Sequence, residues 1–200
     1  MQSGDSTTVF DICDDITSGY MSGYCASVHS ELAEIARKAR IDSVTATWPE
    51  KDRAAYRELR KAASNFFTER VLWEVDMSGT ARVAIETEES ESLEDGLLAR
   101  VLDANTCAIP TYTAQEFMAA DKKLNAIYKK VMDTKKPARG AVPMEGTVTG
   151  DGIRSTQRAW IGYRDAWAAF GAVRCPGVSD NSWKTMITEE RIRQLESFIE

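Results

Sequence analysis

The chain has one histidine in 200 residues, His29, and that scarcity removes most hydrolytic arrangements at once. Ser-His-Asp and Cys-His relays would all have to run through the same side chain, and His29 reads instead as a surface or helix-packing residue. Basic residues are short as well. Lys and Arg number 25 against 31 Asp and Glu, a net charge of −6 with a pI near 5.0, which disfavours a nucleic-acid partner and would attract a cationic one. No apolar run reaches the length of a membrane span, and no stretch alternates polar and apolar residues as a half-buried strand would. The four cysteines include no Cys-x-x-Cys pair, so neither a zinc nor a thioredoxin-like site is expected. The glycines of "GTVTGDG", 146–152, lack the Lys-Ser/Thr ending of a phosphate-binding loop and read as a flexible loop. No catalytic residue, metal or cofactor is therefore expected.

What remains is helix. Leu32, Ile35 and Ala39 keep helical spacing, as do Leu124, Ile127, Tyr128 and Val131, and Ile192, Leu195 and Ile199. The five prolines fall mostly between such segments. In "STQRAWIGYRDAWAAF", 155–170, Trp160, Tyr163, Trp167 and Phe170 lie along one stripe of a helix, which reads as core rather than as a stacking surface. Arg164 on that helix needs a partner or a route to water. The expected arrangement is a clamp onto a carboxylate such as Asp121, with Arg60 in the equivalent place in the first half; the functional alternative has Arg164 meeting an acidic group on a partner enzyme. Thr188 followed by "EER" looks like a helix N-cap with acids in the first turn. The segment "ETEESESLED", 86–95, which contains Glu88 and Glu89, reads as a solvated face that could speed encounter with a cationic partner.

The start, "MQSGDSTTVFDICDD", is a polar lead running into a cysteine, as after removal of a signal peptide, with Met1 added to a mature sequence. An even number of cysteines in an exported chain favours disulfides, against the alternative of four buried thiols in a cytosolic one. Cys13 and Cys25 are close in sequence and expected to pair, leaving Cys107 and Cys175 for a second bridge.

The chain also resembles itself. With Arg60 set on Arg164, Tyr56 meets Trp160, Leu59 meets Tyr163, Phe66 meets Phe170 and Arg70 meets Arg174. Upstream, "HSELAEIARKARI" matches "DKKLNAIYKKVM", pairing Leu32 with Leu124 and Ile35 with Ile127; downstream, "IETEE" resembles "MITEE". This predicts two copies of one helical unit, roughly 13–103 and 107–200, joined by "DANTCAIPTY".

In their order and spacing, "ADKKLNAIYKKVM", "TQRAWIGYRDAWAAF" and "TEERIRQLESF" resemble the LprI-like domain of bacterial lysozyme inhibitors, over most of 107–200. The likeness extends more weakly to "FDICDDITSGYMSGYCASVHSELAEIARKA" in the first half. Where family members often carry further cysteines, Phe117 and Ala168 stand here. The resemblance implies an all-α helical bundle of two related LprI-like units, periplasmic or secreted. It also implies a protein that binds and blocks a peptidoglycan-cleaving enzyme, whether a lysozyme or an amidase or transpeptidase-type toxin against which it confers immunity. The competing readings are a structural or stress-related envelope module and, further off, a cell-envelope enzyme. Inhibitors often insert loops carried on a rigid scaffold. Two loops qualify: 134–152 with Arg139, Met144 and Glu145, and "RCPGVSDNSW" with Asp180, Asn181 and Trp183 displayed behind an anchored cysteine.

Overall fold

The computed structural model describes residues 12–15, 18–135 and 148–199. Among them are a 3-10 turn, Ile12–Asp15, and six α-helices: α1 Gly19–Thr45, α2 Glu50–Glu74, α3 Arg82–Thr106, α4 Ala114–Thr134, α5 Gly150–Arg174 and α6 Asp180–Glu196. No strand occurs among the described residues, and the fold is an all-α bundle. No helix among them is long and apolar enough to cross a membrane.

Local chemistry sets most of the boundaries. Ser18 caps α1 by accepting from Met21 N, and a reciprocal Thr113–Glu116 capping box starts α4. Pro49 sits just ahead of α2 and Pro110 in the strap between α3 and α4. Two sequence readings change here. Gly150, Asp151 and Gly152 are not loop but the first turn of α5, because the Thr149 hydroxyl accepts from Gly152 N at 3.1 Å. Thr188 is not an N-cap: Ser179 starts α6 by accepting from Ser182 N, which leaves Thr188 buried in mid-helix.

The centre is the antiparallel pair α2 and α5. Asp52 meets Arg174 at one end, Phe66 stacks on Tyr163 in the middle, and Thr156 donates to the Glu69 carbonyl towards the other end. Trp160, Tyr163, Trp167 and Phe170 are all buried in the seam, so the aromatic stripe is core, as its spacing implied. One continuous cluster takes residues from both halves of the chain, including Leu59, Phe66, Leu97, Val101, Leu124, Trp167 and Leu195. Helix α3 packs along α1, and α6 packs along both α4 and α5. The α1–α3 approach is close because Gly23 has no Cβ; an added one would lie 2.9 Å from Val83 Cβ.

Both disulfides form in the expected pairing. Cys13–Cys25 ties the 3-10 turn to α1, with Cα atoms 5.7 Å apart, and Cys107–Cys175 ties the end of α3 to the end of α5, at 5.6 Å. Cys107 closes α3 in the left-handed region, φ 54°, a conformation uncommon for a side-chain-bearing residue. Beside this bridge Arg174 lies over the Trp48 ring at 4.7 Å and donates to Asp52 and to Asn105. One guanidinium thus joins α2, α3 and α5.

Burial in this core pushes the phenols of Tyr163 and Tyr56 up to about 12. Folding therefore holds these protons more tightly than the unfolded chain does. The associated stability is fully present below pH 10, the ordinary tyrosine value, and is lost as the pH rises through 12. Alkaline titration of folded protein, followed by phenolate absorbance, should leave at least Tyr56 and Tyr163 of the six tyrosines un-ionised at pH 10.5. Six phenols titrating together at the ordinary value would show that these two are open to solvent.

Candidate functional site

The nominated residues fall in quite different environments. Arg164 Nη1 lies 3.6 Å from Asp121 Oδ1 on α4 and its Nη2 lies 2.9 Å from Asp165, with the guanidinium between the rings of Phe117 and Trp160 at 5.9 and 5.2 Å. This brings Arg164 and Asp121 together and ties α5 to α4. Arg60 does something different. It pairs with Glu94 at 2.5 Å and so ties α2 to α3 rather than to α1.

The acidic segment of α3 is not simply a solvated face. Arg70 binds Glu89 at 2.5 Å, Arg37 binds Glu91 and Asp95 at 3.2 and 3.1 Å, and Arg60 holds Glu94. Glu88 is exposed, whereas Glu89 is part of this seam. The arginines lie on α1 and α2, far away in sequence, so a charge run read alone could not reveal them.

The loop proposed to carry Trp183 is shorter than its sequence suggests. Only 175–179 separate α5 from α6; Asp180 and Asn181 belong to the first turn of α6, and Asp180 binds Lys184 at 2.5 Å. Trp183 is not displayed. It is fully buried and stacks on Trp167 with ring centroids 5.7 Å apart and planes 9° from parallel, because helical spacing from Ser179 turns it onto the core. Arg139, Met144 and Glu145 lie outside the described residues. His29 is exposed on α1, and no group of His, Cys, Asp and Glu among the described residues is placed to hold a metal ion.

Two features escaped sequence reading. The first is a fully buried ion pair: Arg191 on α6 donates from Nη1 and Nη2 to Glu74 on α2 at 2.7 and 2.5 Å, and from Nε to Gln157 on α5 at 2.9 Å. A charge in mid-helix ordinarily faces water, which is why "TEERIRQLESF" gave no hint of it. The second is a groove of about 570 Å³ between α4 and α6, floored by Ala119, Ala120 and Ile192 and rimmed by Tyr112, Glu116, Lys123 and Glu189. Tyr112 is fixed there from both sides: its N–H donates to Ser182 Oγ at 2.9 Å and its hydroxyl donates to Glu189 at 3.0 Å. Partial burial, and then the bond to Glu189, push the Tyr112 phenol upward. Hydrogen bonds from the Thr113 backbone and hydroxyl hold Glu116 below the usual carboxylate range. Near neutral pH the Tyr112 phenol therefore keeps its proton, and Glu116 carries its charge. The recess is open to a protruding side chain and carries charge of both signs, with Lys123, Arg193 and Glu196 beside Glu116 and Glu189.

Fold and groove thus define a disulfide-linked helical scaffold with a shaped surface bordered by charges of both signs. Within that scaffold, residues 99–195 match the family model described as lysozyme inhibitor LprI, which takes in the end of α3, all of α4 and α5, and nearly all of α6. Comparison with curated proteins and with solved structures gave no match.

Proposed function

We propose that the chain is an exported inhibitor that binds a peptidoglycan-cleaving enzyme of the lysozyme type and blocks it. The match of residues 99–195 to a family of lysozyme inhibitors carries this reading. Two disulfides suit an oxidising compartment, and a net charge of −6 favours encounter with a cationic enzyme. All but one of the residues that line the α4–α6 groove fall inside the matched region. A Lys or Arg of the enzyme would pair with Glu189 there, on a border that Lys123 and Arg193 share. The two halves, 13–103 and 107–200, are read here as related units. In support, the self-similar segments fall on α1 and α4, α2 and α5, α3 and α6, and the α1–α3 packing has its counterpart in α4–α6.

The test is cell-wall lysis by lysozyme in the presence of the oxidised protein, with an amidase and a transpeptidase-type hydrolase alongside. Saturable inhibition of the lysozyme is expected, and Glu189→Lys should weaken it about tenfold with helicity unchanged. No inhibition of any of these enzymes would end the reading. Inhibition untouched by Glu189→Lys would move the contact away from the groove.

A further inference from the structure

Helix α1 has two faces, and only one of them is used by the fold. Arg37 pins it to α3 through Glu91 and Asp95, and Gly23 brings it close against Val83. Away from these contacts Val28, Leu32 and Ile35 point outward at helical spacing, and Tyr20 and Tyr24 continue the stripe along the edge of a recess shared with Thr80, Arg82 and Val83. Tyr20 is 84%, Leu32 64% and Ile35 67% exposed. The sequence aligns Leu32 and Ile35 with Leu124 and Ile127, which are buried in α4, so the same pattern faces water in one half and core in the other. Because Arg37 is held by two carboxylates, α1 cannot roll to hide the stripe without breaking both ion pairs.

We propose that this stripe is a self-association surface that pairs antiparallel with α1 of a second copy of the chain, an inference beyond the inhibitory reading. The five side chains leave on the order of 600 Å² of apolar surface open, the upper end of what a lone monomer usually carries. Closing two such faces removes on the order of 1,200 Å², the lower bound of a stable, specific interface. Glu31 is the one charge near the middle of the stripe, and an antiparallel register that overlaps the whole stripe sets it against Val28 of the second copy. A straight apolar stripe is its own complement about a twofold axis. A parallel pairing would lay Glu31 and Glu34 on the same residues of the second copy. The antiparallel pairing that overlaps the whole stripe sets Tyr24 against Ile35 of the second copy, and Tyr20 against Ala39 of the second copy.

Sedimentation equilibrium of the full, oxidised chain over a hundredfold range of concentration tests this. Wild type is expected to be a dimer, and Leu32→Asp with Ile35→Asp should weaken it at least about tenfold with unchanged circular dichroism. Glu31→Gln, which leaves the stripe intact and relieves like charges meeting near the twofold, should tighten it. A monomeric wild type, or a double variant that dimerises as tightly as wild type, overturns the proposal, as does Glu31→Gln weakening the dimer. A monomeric wild type whose binding to a hydrolase is lost in the double variant would assign the face to that enzyme and overturn the proposal equally.

Discussion

Gly171→Val is expected to remove at least about 4 kcal/mol of stability, enough to deplete the folded state of a domain this size. A Cβ at position 171 would lie 2.6 Å from Cδ1 of the Trp183 indole and closer still to its Nε1 and Cε2. The indole cannot withdraw, since its far face is stacked on Trp167 and the side chain is fully buried. Relief would need α6 to slide along α5, and the Arg191 ion pair to Glu74 and the packing against α4 both oppose that. Urea denaturation of purified variant and wild type reads the difference directly. A wild-type midpoint for Gly171→Val would mean that Trp183 does not lie over this glycine.

The second large effect concerns Arg191. Arg191→Leu leaves Glu74 with only Arg70, at 3.1 Å, in a site where both members of the Arg191–Glu74 pair have no exposed side-chain surface. Stranding a buried charge in this way costs about 3 to 5 kcal/mol. The companion variant Arg191→Leu with Glu74→Leu takes away both charges and should be less destabilised than the single one, because no unpaired carboxylate stays inside. Denaturation midpoints of the three proteins decide it. If the double variant is the weaker of the two, the Arg191 stem matters through its packing over Phe66, at 5.8 Å, rather than through charge.

The central aromatic seam was legible in the sequence because spacing is enough to show which residues share a helix face. Trp160, Tyr163, Trp167 and Phe170 could only line one side, and so many rings on one side are core. The disulfide pairing was legible for an equally local reason, the short separation of Cys13 from Cys25. Spacing does not say whether a face is covered, and that is why Leu32 and Ile35 look like Leu124 and Ile127 in sequence but are open in space. Trp183 was misread because Pro176 and Gly177 suggest a turn that leaves the residues after it displayed, whereas the Ser179 cap starts a helix at once. The ion pairs of α3 and of Arg191 were out of reach, since their partners lie 19 to 117 positions away along the chain. Of the candidate binding surface, the sequence offered net charge and family resemblance; the groove comes from how α6 lies beside α4.

The Cys107–Cys175 bridge and the α2–α5 seam have a consequence for how the family-like region can exist. The matched stretch begins at residue 99, inside α3, yet the rings that close over α5 come from Tyr56, Phe66 and Phe67 on α2. Cut away from the first half, the matched stretch would expose Tyr163 and Phe170 along the length of α5 and leave Arg191 without Glu74. The boundary of kinship is therefore not a boundary of cooperativity. In this chain α2 supplies in cis the surface on which the lysozyme-inhibitor-like part completes its own interior.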